Sequence, residues 1–247
     1  MFPVLFKCGP ITIYSYGVMV SLAFAIGVYL MRGRADAFGV AKEKIIDFMM
    51  VILISGIIGA RILHVIVNLG YYRFNPIEIF MITKGGLAFY GGLIASTIAG
   101  IVFIKVNRMP VWNTGDLTAP YIALGQAIGR IGCFLNGCCY GVACKETIFA
   151  VKFPGDTVYR VPTQLIASIV LLFMYGILRY FAEKKIFKGN LFFVYLAMYS
   201  VQRFSVEFLR GDLDRGFLNL TVSQHISAIV LIIASAIFFI RMKHGKV

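Results

Sequence analysis

Apolar residues dominate seven long stretches of the chain, and polar residues collect in the shorter segments between them. A helix needs about 20 consecutive, mostly apolar residues to cross the hydrocarbon core of a bilayer. The pattern predicts spans at 14–31, 45–68, 86–106, 117–135, 163–181, 190–209 and 222–242. We therefore expect an all-α integral membrane protein with about seven transmembrane helices.

Two of the segments between spans have a character of their own. The stretch 71–84 carries Tyr71, Tyr72 and Phe74, which is typical of a membrane-interface segment. The longer stretch 136–162 contains turn-forming proline and glycine, which indicates a structured loop with short strands around 148–153. We expect this loop to be a small outer-side region within one transmembrane domain that covers 1–247.

Composition supports the membrane assignment. The chain has 247 residues, of which 60% are hydrophobic and 14% charged, whereas a soluble domain is roughly half apolar and a quarter charged. The net charge of +13 is typical of a nucleic-acid partner only when the basic residues form one patch. Here they fall between apolar runs, so we expect no nucleic-acid binding. The first apolar run lacks the basic lead and cleavage site of a signal peptide.

Orientation follows from the loop lysines and arginines, which are enriched on the cytoplasmic side of membrane proteins. Their distribution favours an N-terminus outside and a C-terminus inside. In this orientation several unusual polar residues share one depth, in the outer half of the membrane: Tyr16, Arg61, His64, Tyr90, Arg130, Arg203, Glu207 and Gln224. We infer one polar site that opens toward the outer leaflet.

Arg203 and Glu207 are four residues apart and so share a helix face, where they can form an ion pair. Such a pair could be purely structural. With Arg130 at the same depth, however, positive charge exceeds negative charge, and guanidinium groups match phosphate oxygens well. The anion available there is a phospholipid head group, so membrane lipid is an expected partner.

Other residues of the predicted site have a structural alternative of similar weight. Arg61 could bind the anion or could simply extend its guanidinium toward the interface. His64 could accept a proton or could be a buried structural histidine. Tyr16, by position alone, would belong to the aromatic belt at the membrane interface.

Four of the five cysteines lie close together, at Cys133, Cys138, Cys139 and Cys144. Their spacing does not match the C-x-x-C pairs of common zinc or iron–sulfur sites, so we expect no metal and no cofactor. A disulfide on the oxidising side of the membrane and simple packing of small apolar side chains both remain open.

Several motifs together make the chain resemble the prolipoprotein diacylglyceryl transferase family, in order and spacing along nearly its whole length. They are SYG at 15–17, GAR at 59–61, GLAFYGGL at 86–93, GRIGCFLNGCCYG at 129–141, PTQL at 162–165, RFSVEFLR at 203–210, and a glutamine, Gln224, that opens the last span. The central departures are Tyr90 in place of the family histidine, Cys133 in place of an asparagine and Cys138 in place of a glutamate.

The resemblance implies that a diacylglyceryl group passes from phosphatidylglycerol to the lipobox cysteine of a prolipoprotein signal peptide, releasing glycerol phosphate. It implies a multi-pass protein of the cytoplasmic (inner) membrane with its site toward the outer leaflet. The expected catalytic residues are Tyr16, Tyr90, Arg130, Arg203 and Glu207. The expected substrate-binding residues are Arg61, Arg130, Asn136, Gly141, Arg203 and Gln224.

Three alternatives remain open at this point. A divergent paralogue would transfer the lipid group to another acceptor. A membrane thiol–quinone oxidoreductase would use the four clustered cysteines. A passive lipid-binding protein would hold phosphatidylglycerol without turnover.

Overall fold

The computed structural model describes residues 1–9, 11–81, 85–147, 149–211 and 216–243, and in this part of the chain helices predominate. The helices are α1 (Ser15–Arg32), α2 (Glu43–Val67), the single turn α3 (Leu69–Tyr72), α4 (Phe89–Val106), α5 (Val111–Asn136), α6 (Thr163–Glu183), α7 (Leu191–Glu207) and α8 (Val222–Lys243). Each of the seven predicted spans therefore corresponds to a long helix.

Five of these helices are long and apolar enough to cross a membrane: α1, α2, α4, α6 and α8. Helix α7 has only 17 residues, and the 26-residue α5 carries polar residues and Pro120 within it. These two helices hold the motifs with Arg130, Arg203 and Glu207, and the same polar content that marks a site lowers their hydropathy. The described helices thus confirm a mostly helical membrane protein.

Two small antiparallel sheets accompany the helices. Strands β1 (Val4–Cys8) and β2 (Ile11–Tyr14) pair before α1. Strands β3 (Ala143–Cys144), β4 (Val151–Lys152) and β5 (Tyr159–Arg160) form a sheet with β5 in the centre. The predicted strand around 148–153 corresponds to β4, although Ile148 lies outside the described residues.

The chain divides into two compact units, Met1–Met31 with Gly115–Val247, and Arg32–Thr114. In the first unit α5, α6 and α7 share a buried core. Helix α5 contributes small side chains to it, and α6 and α7 contribute larger ones: Ala119, Ala123, Ala127, Leu171, Met174, Leu178, Leu191 and Tyr195. Alanines at every fourth position let the helices approach closely, as membrane helices do. Ser168 on α6 donates a hydrogen bond of 2.9 Å to the Ala127 carbonyl.

In the second unit α2 packs along α4 through glycines. A Cβ added to Gly92 would lie 2.9 Å from the Gly56 carbonyl oxygen, and one added to Gly91 would lie 2.5 Å from Leu63 Cβ. Backbone contact of this kind is how small residues hold membrane helices together. The GAR and GLAFYGGL motifs therefore meet at one helix crossing, where the Ala88 amide also donates to the Ala60 carbonyl.

Candidate functional site

A buried carboxylate near the end of α7 is the centre of the polar site in the first unit. Glu207 is 1% exposed, and its Oε2 lies 3.0 Å from Nη2 of Arg203 and 3.8 Å from Nη1 of Arg210. Thr221 donates a hydrogen bond of 3.0 Å to the other oxygen, Oε1. The predicted pairing of Arg203 with Glu207 across one helical turn is therefore present in the structure.

Arg203 is not saturated by these contacts. Its Nη2 donates 3.1 Å to the Ser223 hydroxyl, but its buried Nη1 has no hydrogen-bond partner among the described residues. Arg130 lies close enough to Arg203 for their charges to interact. A buried guanidinium N–H without an acceptor is costly, and a second cation nearby adds to that cost. The arrangement is suited to an anion that accepts from both arginines.

Gln224 has a different placement from the other predicted binding residues. The backbone N–H of Thr221 donates a hydrogen bond of 2.9 Å to the side-chain Oε1 of Gln224. The backbone N–H of Gln224 donates one of 3.2 Å back to the Thr221 hydroxyl. This reciprocal arrangement is a capping box at the start of α8. The side-chain Nε2 of Gln224 donates a hydrogen bond of 3.4 Å to the Phe204 carbonyl. Gln224 therefore ties α8 to α7 and holds Thr221 beneath Glu207.

The end of α5 explains how the cysteines come together. Gly137 has φ +76°, its amide donates to the Phe134 carbonyl, and the Cys138 amide donates 3.2 Å to the Cys133 carbonyl. These two bonds form a Schellman motif, which folds Cys138 back over Cys133. The Sγ atoms of Cys133, Cys138 and Cys139 all lie within 4.8 Å of one another. All three thiols are free and partly exposed, as is that of Cys144.

The turn after α5 is fixed by the start of α6. The Thr163 hydroxyl donates 2.8 Å to the Cys139 carbonyl, and the Gln164 amide donates 2.7 Å to the Cys138 carbonyl. Gly141 forms a bridge with Arg210. A Cβ there would lie 2.7 Å from the carbonyl oxygens of Leu209 and Val161. Gly141 thus lets the signature loop touch the end of the RFSVEFLR segment, which explains why a glycine is needed there.

Tyr16 and Asn136 lie on either side of this turn. Tyr16, near the start of α1, interacts electrostatically with Arg130 and with the three clustered cysteines. Its ring packs at Gly132, where an added Cβ would lie 3.3 Å from Tyr16 Cδ2. Asn136 is the last residue of α5, is exposed, and hydrogen-bonds through its side chain to Cys138. The first unit therefore contains seven predicted residues: Tyr16, Arg130, Asn136, Gly141, Arg203, Glu207 and Gln224.

Arg61 lies in the second unit and is saturated by backbone. Its Nε donates 2.9 Å to the Ile79 carbonyl, and its Nη1 donates 2.6 Å and 3.0 Å to the carbonyls of Gly85 and Gly86. Its Nη2 donates to the carbonyls of Glu78 and Met81. The side chain is 6% exposed. All five guanidinium protons therefore bind the segment before α4, an arrangement that neither sequence alternative described.

His64 and Tyr90 also belong to the second unit. An added Cβ at Gly86 would lie 2.6 Å from Nε2 of His64, so the imidazole packs against this glycine. Its ring also meets the edge of the Tyr72 ring, with centroids 6.0 Å apart. Tyr90 is 40% exposed in the first turn of α4 and contacts Phe89.

Ionic contacts order the loop that carries β3, β4 and β5. Asp156 pairs with Arg160, and the guanidinium of Arg160 lies 4.6 Å from the centre of the Tyr140 ring. The hydrogen bond from Arg160 lowers the pKa of the Asp156 carboxyl. The hydrogen bond between Tyr159 and Glu146, 2.7 Å long, raises the pKa of the Tyr159 hydroxyl.

Sequence reasoning missed three residues that hold the carboxylate site: Thr221, Ser223 and Arg210. For Thr221 a signal was present, because Thr221 and Gln224 have the T-x-x-Q spacing of a capping box just before an apolar run. For Arg210 the three-residue spacing from Glu207 within the RFSVEFLR motif was also a signal. For Ser223 no local signal exists, since its hydrogen bond joins α8 to Arg203 on α7.

Known proteins are similar to this chain along almost its whole length. The family model described as "Prolipoprotein diacylglyceryl transferase" matches residues 3–240. A protein of Bacillus licheniformis named phosphatidylglycerol–prolipoprotein diacylglyceryl transferase is 32% identical, over 99% of this chain and 94% of its own length. Proteins of the same name from Clostridium tetani and Bacillus cereus are 35% and 36% identical, covering 96% and 97% of this chain and 97% and 92% of their own.

Proposed function

Because the chain belongs to the prolipoprotein diacylglyceryl transferase family, we propose that its Arg203 site binds the phosphate of phosphatidylglycerol during transfer. The chain is a transferase, and its reaction moves the diacylglyceryl group of phosphatidylglycerol to prolipoprotein. The observation that carries the site assignment is the buried Nη1 of Arg203, which has no hydrogen-bond partner among the described residues and has Arg130 within interaction range.

Arg130 and Arg203 stabilise the departing phosphate. The sulfur of the acceptor cysteine attacks the terminal glyceryl carbon, the C–S bond forms, and the C–O bond to phosphate breaks. Glycerol phosphate departs with the electrons of the broken C–O bond and takes up the proton of the thiol. Fixed donors aimed at developing negative charge are among the largest contributions to catalysis, because they need no reorganisation during the reaction.

Glu207 positions Arg203 and limits the surplus positive charge. Its Oε1 is occupied by Thr221 and its Oε2 faces two guanidiniums, so it keeps Arg203 in one orientation. Gln224 supports Thr221 through the capping box. Gly141 and Asn136 hold the signature loop beside this group, and Arg61 holds the segment that leads into Tyr90.

Tyr16 and Tyr90 each supply a hydroxyl group during transfer. Tyr16 acts beside Arg130, with which it interacts electrostatically. Tyr90 stands where the family has a histidine and donates a hydrogen bond rather than taking a proton. A thiol has a pKa of about 8.5, and nearby cations lower it. The positive charge of the arginines therefore favours the thiolate form of the acceptor cysteine, and no strong base is needed to remove its proton.

The membrane arrangement completes the proposal. All seven long helices cross the cytoplasmic membrane, with the N-terminus outside and the C-terminus inside. The site then opens toward the outer leaflet, where phosphatidylglycerol and the lipobox cysteine of a signal peptide both reach it. The 136–162 loop lies on the outer side.

The direct test supplies purified protein with phosphatidylglycerol and a lipobox peptide, and measures the diacylglyceryl thioether by mass spectrometry. Arg130→Gln and Arg203→Gln should each abolish most of the product, because each removes a phosphate donor. Arg179→Gln is the matched control, since Arg179 also pairs with a glutamate four residues later, Glu183, at an exposed position. Full activity of Arg203→Gln would refute the assignment.

A further inference from the structure

The three thiols at the end of α5 form a compact group whose sulfur geometry fits a metal ion. The Sγ atoms of Cys138 and Cys139 are 3.8 Å apart, and Cys133 Sγ lies within 4.8 Å of both. A disulfide needs about 2.05 Å between sulfurs, so the thiols stand apart as individual ligands. With metal–sulfur bonds of about 2.3 Å, the edge of a tetrahedron is about 3.8 Å.

From this geometry we propose that Cys133, Cys138 and Cys139 bind a thiophilic d10 cation such as Zn²⁺ or Cu⁺. Thiolates are soft ligands that select such ions over Mg²⁺ or Ca²⁺. Each thiol gives up one proton as its metal–sulfur bond forms, and nothing is oxidised or reduced. Three protein ligands leave a fourth position of the tetrahedron open.

The backbone around the three cysteines is already fixed. The Schellman motif sets Cys138 over Cys133, and Thr163 and Gln164, both almost fully buried, bind the carbonyls of Cys139 and Cys138. A site whose ligands are held before binding loses little conformational freedom when the ion arrives. The partial exposure of all three thiols leaves the ion a way in.

The charge of the surroundings also fits. Three thiolates around Zn²⁺ carry a net charge of −1, and around Cu⁺ a net charge of −2. Arg130 is three residues before Cys133 on α5 and so lies on the same face. Tyr16 interacts with both Arg130 and the cysteines, which places the guanidinium in the same neighbourhood. The bound ion with its thiolates would be stabilised by this positive charge.

The spacing of the three cysteines in the sequence does not indicate this site. Separations of five residues and one residue do not match common zinc motifs, because those motifs rely on a tight turn between two ligands. Here the end of a helix takes the place of that turn, since the reversal at Gly137 brings residues five apart into contact. The inference is independent of the transfer reaction, since it concerns binding of the ion alone.

The test uses purified, reduced protein in detergent under anaerobic conditions, with Zn²⁺ and Cu⁺ as separate probes. Equilibrium dialysis should give one tightly bound ion per chain, and Co²⁺ should give the absorption bands of tetrahedral thiolate coordination. Cys133→Ser and Cys138→Ser should each weaken binding at least 100-fold. Cys144→Ser, which changes a free thiol outside the group, should bind as the unaltered chain does. Equal binding by Cys133→Ser and Cys144→Ser would overturn the proposal.

A second measurement needs no variant. Thiol alkylation followed by peptide mapping should show Cys133, Cys138 and Cys139 protected by the ion while Cys144 stays reactive. Alkylation that is indifferent to the ion would overturn the proposal. Loss of two thiols to a disulfide without reductant, with no ion bound after reduction, would overturn it as well.

Discussion

Glu207 lies 3.0 Å from Arg203, one helical turn along α7, but the two groups do not satisfy each other. The carboxylate is almost fully buried, while Nη1 of Arg203 remains without a hydrogen-bond partner among the described residues. A pair that existed only to hold helices together would be expected to use all its buried donors. The unused donor is the reason for treating this pair as part of a binding site.

Arg203→Lys tests whether the site needs only a positive charge or also the planar, bidentate guanidinium group. Lysine keeps the positive charge near Glu207 but offers a single ammonium instead of a planar group that meets two acceptors at once. We expect transfer activity to fall about 100-fold or more, the usual effect of removing one donor to a developing anion. The measurement is the rate of diacylglyceryl transfer to a lipobox peptide at saturating phosphatidylglycerol.

The control for this change is Arg179→Lys. Arg179 pairs with Glu183 at 3.1 Å with the same four-residue spacing on α6, so it reproduces the local chemistry away from the site. Its activity should remain within about twofold of the unaltered chain. If Arg203→Lys were as active as Arg179→Lys, the guanidinium of Arg203 would not bind the phosphate.

Glu207→Gln tests the structural side of the same pair. Removing one charge of a buried pair typically costs about 3–5 kcal/mol, because the partner is left uncompensated. We expect a clear drop in the thermal unfolding temperature of the detergent-solubilised protein. Glu183→Gln should change it little, since exposed helix pairs contribute only about 0.3–0.5 kcal/mol. Equal, small effects of the two changes would show that Glu207 is not held by its arginines.

The long helices were predictable because apolar length and residue spacing are local properties. The Arg203–Glu207 pair followed from four-residue spacing alone. The role of Arg61 did not, since five carbonyls from a segment about 20 residues away receive its donors. The Cys133–Cys138 contact arises because the helix ends at Gly137, which has a positive φ.

Gly91→Ala tests the helix crossing in the second unit. A Cβ at this position would lie 2.5 Å from Leu63 Cβ and also meet the Gly59 carbonyl on α2, so the helices would have to separate. Overpacking of this kind typically costs about 1–3 kcal/mol. We expect a lower unfolding temperature, measured by thermal denaturation in detergent.

Gly100→Ala is the control on the same helix. Its added Cβ would lie 3.6 Å from the nearest atoms of Ile52 and Phe48, which is ordinary contact. The stability should be unchanged or slightly higher, because alanine favours the helix. A similar loss from both substitutions would mean that general helix propensity, not the close crossing, accounts for the effect.

The Asp156–Arg160 pair makes the 136–162 loop sensitive to acid. The pKa of Asp156 is lowered by Arg160, so the pair stabilises the folded loop at pH values above the ordinary carboxyl value of 3.8. This contribution disappears as the pH falls through the lowered pKa, because the folded state then takes up the proton. Protease cleavage within 145–160 should therefore accelerate at low pH. In Asp156→Asn the cleavage rate should be raised already at neutral pH and should lose this acid dependence, and an unchanged acid response would contradict the assignment.

Arg61→Gln tests whether Arg61 holds the segment 78–86 in place or binds the substrate. The guanidinium donates to five carbonyls between Glu78 and Gly86, and glutamine would leave most of these partly buried acceptors without their donor. We expect faster protease cleavage in this segment and a lower unfolding temperature. Transfer should fall in proportion to the loss of folded protein, so raising phosphatidylglycerol should not restore it. A rise in KM for phosphatidylglycerol with an intact, protease-resistant segment would instead assign Arg61 to the head group.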